Sequence, residues 1–171
     1  DMAQRSKLIL PSNTVEGMKE LVFKDRYNNL GEYLHGFQYT CGVLRDLENL
    51  EQAAYELALD NQAEGVNYIE VRFAPQLLMD PAIGIDFDRI MHTVNNGLKR
   101  AMHEYNAHDQ VQHGHRPPFA YGIINCAMRM FSGKGFSPYY TNLFQLMRDF
   151  EPMQVIKLAA MELVRASVSL R

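Results

Sequence analysis

Cysteine is scarce. Cys41 and Cys126 are the two among 171 residues, too few for a disulfide framework, which points to a reducing, cytoplasmic compartment. No apolar run is long enough to span a bilayer, so no membrane partner is expected. No secretory leader is expected either: 1–6 is polar and no apolar stretch follows it. The chain opens on Asp1 rather than Met, the expectation for a processed, trimmed or excerpted product. Charge of neither sign dominates, with 17 Lys and Arg against 20 Asp and Glu and a net charge of −3, which argues against a nucleic-acid partner. Internal repeats and low-complexity tracts are absent. What is present, 47% hydrophobic residues with 22% charged, suits one folded domain with a real core and excludes disorder.

The stretch 65–79, GVNYIEVRFAPQLLM, is the best strand candidate. Strand residues alternate faces, so Tyr68, Glu70 and Arg72 share one face and Ile69, Val71 and Phe73 the other. The apolar face is suited to packing on helices. The charged face needs a polar interior or partners from neighbouring strands. Before this stretch, 2–10 reads as the tail of a helix stopped by Pro11, and Asn13 with Glu16 reads as a capping box for a short helix. Residues 30–44 carry Leu30, Tyr33, Leu34, Phe37 and Cys41 at helical spacing, with glycines at 31, 36 and 42 that predict a broken helix or lid. A firmer helix spans 47–64, with Leu50, Ala54, Leu57 and Asn61 as its stripe and Gly65 as its stop.

After Pro81, residues 86–105 show the clearest amphipathic period in the chain. Residues 106–118 read as a polar loop, 119–126 as a second strand, 132–138 as a loop, and 139–150 and 152–169 as helices. Alternation of helix and strand predicts parallel βαβ units. Two strands are few for a complete α/β sheet, so a mostly helical structure with a short parallel pair is expected. Ten methionines suit irregular packing.

NLGEYLHGFQYT, the following helix ending AEGV, then YIEVRFAPQLL and INCAMR resemble the adenosine deaminase family in order and spacing, from about residue 11 onward. The resemblance implies an α/β fold, a partial (β/α)₈ TIM barrel of the metal-dependent hydrolases, with a lid segment at about 12–45 and βα units at about 65–107 and 119–169. It implies a zinc aminohydrolase that converts adenosine and water to inosine and ammonia. In that family a His-x-His pair, a later His and an Asp hold zinc, and a Glu donates the proton. No such residue falls on a matching position of this chain, so the resemblance implies no catalytic and no metal-ligating residue here. Zinc is then the cofactor of the complete enzyme, none is expected on this stretch, and the stretch alone is expected to be inactive.

By position, Leu30, Tyr33, Leu34 and Phe37 match the family's hydrophobic lid over the purine, and Met128 a pocket residue. A flat apolar base is well served by aromatic and aliphatic walls; the competing reading is that the same stripe is ordinary core. His113-Gly114-His115 imitates a ligand pair, but its loop setting before a strand puts it at the N-terminal face of a barrel, opposite the active mouth. Glu70 and Arg72 form either a buried structural ion pair, the preferred reading, or support for the active-site layer; Arg129 stands at a strand end, and the two cysteines read as small buried residues. The alternatives are a non-catalytic interaction module of the same architecture, self-associating through uncovered strand faces, and a deaminase of a related adenine compound.

Overall fold

The structure is a computed structural model that describes residues 2–129 and 131–169. The chain begins with the single turn α1 (Met2–Arg5), shorter than the expected helix running to Pro11. Next is α2 (Val15–Leu21), whose cap is Thr14, accepting from the Gly17 amide, rather than the expected Asn13. The hydroxyl of Ser12 lies 3.2 Å from that of Thr14 and accepts from the Thr14 amide, which fixes the cap one residue later. The glycine-weakened stretch breaks at Gly36 into α3 (Leu30–His35) and α4 (Phe37–Leu44).

The long α5 (Leu47–Ala63) starts on an Asp46 cap and stops where Gly65 takes a φ of 83°. Strand β1 (Tyr68–Phe73) follows, then 3₁₀ turns at Pro75–Leu77 and Pro81–Ile83. The amphipathic α6 (Phe87–Asn106) begins on an Asp86 cap. The expected loop after it contains one helical turn, α7 (Asp109–Gln112). Strand β2 (Ala120–Asn125), α8 (Pro138–Leu146) and α9 (Pro152–Ser169) complete the order. Pro138 occupies the first turn of α8 behind a Ser137 cap, where its missing N–H costs nothing.

β1 and β2 pair in parallel, from Tyr68 beside Ala120 to Phe73 beside Asn125. The predicted alternation holds, with Ile69, Val71 and Phe73 half-buried and Tyr68, Glu70 and Arg72 exposed. One face of the pair therefore packs on helices, where Tyr121 donates to Asn95 of α6 at 2.8 Å. Asn106 clamps the start of β2 by accepting from the Phe119 amide at 2.7 Å and donating to its carbonyl at 2.9 Å. The other face is open.

The core lies between α5, α6 and the turns and helices beyond the strands. It holds Leu50, Ala54 and Ala58 with Ile90, Val94, Leu98 and Ala101; each large side chain buried there contributes about 1.5–3 kcal/mol. The buried row of α5 runs through Ala58 and Gln62 rather than the expected Leu57 and Asn61. Farther up the same row the helices meet at Gly97, where a Cβ would stand 2.3 Å from the Glu51 carbonyl oxygen and 3.0 Å from Ala54 Cβ. At that contact there is no room for a larger side chain.

Candidate functional site

The C-terminal ends of the two strands open onto the turns that follow β1 and the loop that follows β2, and the α4–α5 corner reaches the same end. Gln76, in the turn after β1, is 1% exposed. Its amide donates to the Tyr139 hydroxyl at 3.1 Å and the Ala159 carbonyl at 2.7 Å, and accepts from the Tyr140 hydroxyl at 2.9 Å. Ser137 donates to the Gln76 carbonyl at 2.9 Å, and Tyr139 donates to Glu162 at 2.5 Å. Burial, and then the bond to Glu162, push the Tyr139 phenol well up; burial pushes Tyr140 up to about 12. The turn after β1 is thus fastened to α8 and α9 through neutral phenols.

Of the expected substrate-binding residues, Leu30, Tyr33 and Leu34 lie on α3 and Phe37 opens α4. All four are between 41% and 69% exposed, so they are not core. Tyr33 stands edge-on to Tyr27, with centroids 5.2 Å apart, and to Phe37 at 5.4 Å. The preceding linker is drawn in by Glu32, which takes hydrogen bonds from Lys24 at 2.9 Å and from the Asn28 amide at 2.7 Å; these hold its carboxyl below the usual carboxylate range. Met128 is half-buried after β2, packed against the core. Beside α4 an apolar groove of about 290 Å³ is lined by residues that include Leu10, Met18, Phe23, Tyr39 and Leu44.

The ion pairs among the described residues are Lys24–Glu32 and Arg100–Glu51, so the expected buried pairing of Glu70 with Arg72 is not formed. Both lie on the open face, where Glu70 accepts instead from the Tyr68 hydroxyl at 3.0 Å and thereby raises that phenol's pKa. Two parallel strands leave them facing solvent, which removes the need for mutual neutralisation. His113 and His115 lie exposed in the turn before β2, rings 6.4 Å apart, with His113 Nδ1 2.8 Å from the Asp109 carbonyl oxygen. That is the N-terminal end of the strands, as their order predicts. Arg129 is exposed, Cys126 is half-buried, and Cys41 is buried, with its thiol pushed up by burial. Among the described residues, no three His, Cys, Asp or Glu side chains converge to hold a metal.

Sequence reasoning missed Gln76, which stood in plain view as the one polar residue of PQLLM. It also missed Arg45 and Asn49. Asn49 is fully buried and donates to the Met2 carbonyl at 2.8 Å and to that of Val43 at 3.0 Å.

A family model described as adenosine deaminase matches residues 1–166. The adenosine deaminase of Vibrio vulnificus (strain YJ016) is 38% identical over 109 residues, 63% of this chain and 32% of that protein. The adenosine deaminase of Clostridium botulinum (strain 657 / Type Ba4) is 37% identical over 107 residues, 62% of this chain and 32% of that protein. The matched stretch therefore spans about a third of the length of these curated relatives. With the family's pattern running through nearly every element described above, the chain belongs to the adenosine deaminase family.

Proposed function

We propose that this chain is the lid and two successive βα units of a TIM barrel that deaminates adenosine hydrolytically, exchanging the 6-amino group for the oxygen of water and releasing ammonia. The observation that carries this reading is the family match over residues 1–166, supported by the parallel strand pair. Zinc would supply an activated water in the complete barrel. The described residues do not fit a zinc site, so the chain's own contribution is to bind and shield the base. Leu30, Tyr33, Leu34 and Phe37 are the apolar wall: side chains this exposed gain by covering a flat purine, which removes apolar surface from water on both partners. Met128 is the opposing contact at the end of β2.

Two measurements test it. Incubated with adenosine and zinc, the 171-residue chain releases no ammonia above the blank; sustained turnover would refute the reading. In a complete barrel containing this segment, Phe37→Ala and Tyr33→Ala raise KM for adenosine about tenfold with kcat little changed, the mark of lost binding rather than lost chemistry.

The open β1–β2 face supports a second reading, a non-catalytic module that self-associates. Light scattering separates the two: a discrete, stable oligomer supports the module, and monomer or unordered aggregate removes it.

A further inference from the structure

One side chain carries a long-range fastening between the lid pair and the strand mouth. Arg45 caps α4, and its Nη2 donates to the Phe136 carbonyl, 91 residues on, in the loop after β2. The other side-chain hydrogen bonds made by residues 24–44, among the described residues, stay inside the N-terminal part of the chain. They include Lys24 to Glu32, Tyr27 to the Val22 carbonyl, and Asn49 to the Val43 carbonyl. The acceptor loop is not slack. Phe136 meets Phe131 edge-on with centroids 5.9 Å apart, and Phe131 stacks on the buried Tyr140 at 4.4 Å. That stack leads to the Gln76 amide.

The Arg45 fork is only partly used. Its Nε is buried and, among the described residues, has no hydrogen-bond partner. Burial lowers the guanidinium's pKa, against the opposing pull of Cys41 and of Asp80 in the turn after β1. An arginine offers five donors in a rigid plane, and one left buried without an acceptor opposes the closed arrangement. The fastening is therefore real but held with little surplus, which is what a reopening contact requires.

We propose that Arg45 is a latch, its guanidinium holding α3 and α4 against the loop 131–137 so that releasing this contact frees the lid while α5, α6 and the sheet stay packed. The word lid rests on the functional reading above; the latch itself is a property of the chain without ligand.

Hydrogen exchange on the 171-residue chain tests it, with neither nucleoside nor zinc present. In Arg45→Met, amides of 37–44 and of 132–137 exchange about tenfold faster or more, the loss expected for one hydrogen bond from a charged donor. Amides of α5, α6 and β1 do not change. Arg45→Lys, which keeps a charged donor but not the fork, falls between. A rise spread evenly through α5 and α6 would reduce Arg45 to ordinary packing, and no rise in the two named segments would remove the latch; either overturns the proposal. Should Arg45→Met fail to fold, Arg45→Lys carries the same comparison, a selective rise supporting the latch and an even or absent one overturning it. Because the assay contains no substrate, its failure leaves the deaminase reading standing, and failure of the ammonia assay leaves the latch standing.

Discussion

Replacing Gln76 with leucine is the sharpest test of how the turn after β1 is held. Leucine is close in volume, so the cavity term is small and the change isolates hydrogen bonding. Three contacts disappear: donation to the Ala159 carbonyl at 2.7 Å, donation to Tyr139 at 3.1 Å, and acceptance from Tyr140 at 2.9 Å. Tyr139 still donates to Glu162. The Tyr140 hydroxyl proton loses its acceptor. One buried group, the Tyr140 O–H, is left without a partner at about 1–3 kcal/mol, while the Ala159 carbonyl, inside α9, keeps its helical bond and loses only a second donor at about 1 kcal/mol. Offset by the apolar gain of leucine, the net cost is about 2 kcal/mol. For a chain of this size that lowers Tm by about 4–8 °C.

Thermal unfolding of a double-mutant cycle apportions the effect. Tyr140→Phe in the Gln76→Leu background removes the orphaned hydroxyl and recovers about 1 kcal/mol, whereas in the wild type it costs about that much. Two results would refute the reasoning. One is a Gln76→Leu protein within about 0.5 kcal/mol of wild type. The other is a Tyr140→Phe cost that is the same in both backgrounds, which would mean that the two side chains are not coupled.

Four further outcomes follow from other contacts. Gly97→Ala forces α5 and α6 apart, since its Cβ would sit 2.3 Å from the Glu51 carbonyl oxygen, and costs about 1–3 kcal/mol in urea unfolding. Gly65→Ala, where φ is 83° and nothing lies within 4 Å, costs about 1 kcal/mol from backbone strain alone; equal or reversed ordering in the same assay would fault the packing argument. The Glu32 carboxyl, lowered by Lys24 and Asn28, contributes its tethering of α3 above the unfolded carboxylate pKa and loses it as pH falls through its lowered folded value. NMR titration should show that low midpoint, and Lys24→Ala should move it upward. Tyr140 works in the opposite sense: with its folded pKa pushed up to about 12, its contribution is complete below the ordinary phenol pKa and is lost as pH rises through that folded value. Phenolate absorbance should show a late-ionising phenol that disappears in Tyr140→Phe.

What was legible in the sequence was whatever depends on neighbours along the chain. The alternation of YIEVRF onto two faces follows from strand geometry, and the break at Gly36 follows from helix propensity. Even these local readings slipped where a side chain chose between adjacent options. Thr14 took the cap because Ser12 bonds it, and α5 turned Ala58 inward in place of Leu57. The Glu70–Arg72 pairing presumed an enclosed face, and the face is open. The Gln76 and Arg45 side chains bond across 63 or more residues, beyond the reach of any periodicity.

The same division by distance bears on function. The four side chains that the family resemblance assigns to a lid stand together because a single short segment carries them. What holds that segment is not all local: Cys41 and Leu44 of α4 pack on the core, and Arg45 ties the end of α4 to the Phe136 carbonyl in the loop after β2. Exposed aromatic residues supply affinity for a flat apolar base wherever they stand, but they supply selectivity only if something fixes their distance from the strand ends. If the proposed lid and latch hold, the two roles rest on different residues. A substitution at Phe37 would then act on the strength of binding. One at Arg45 would act on how often the wall is in position to bind, lowering apparent affinity by the closed fraction without changing a single contact to the base.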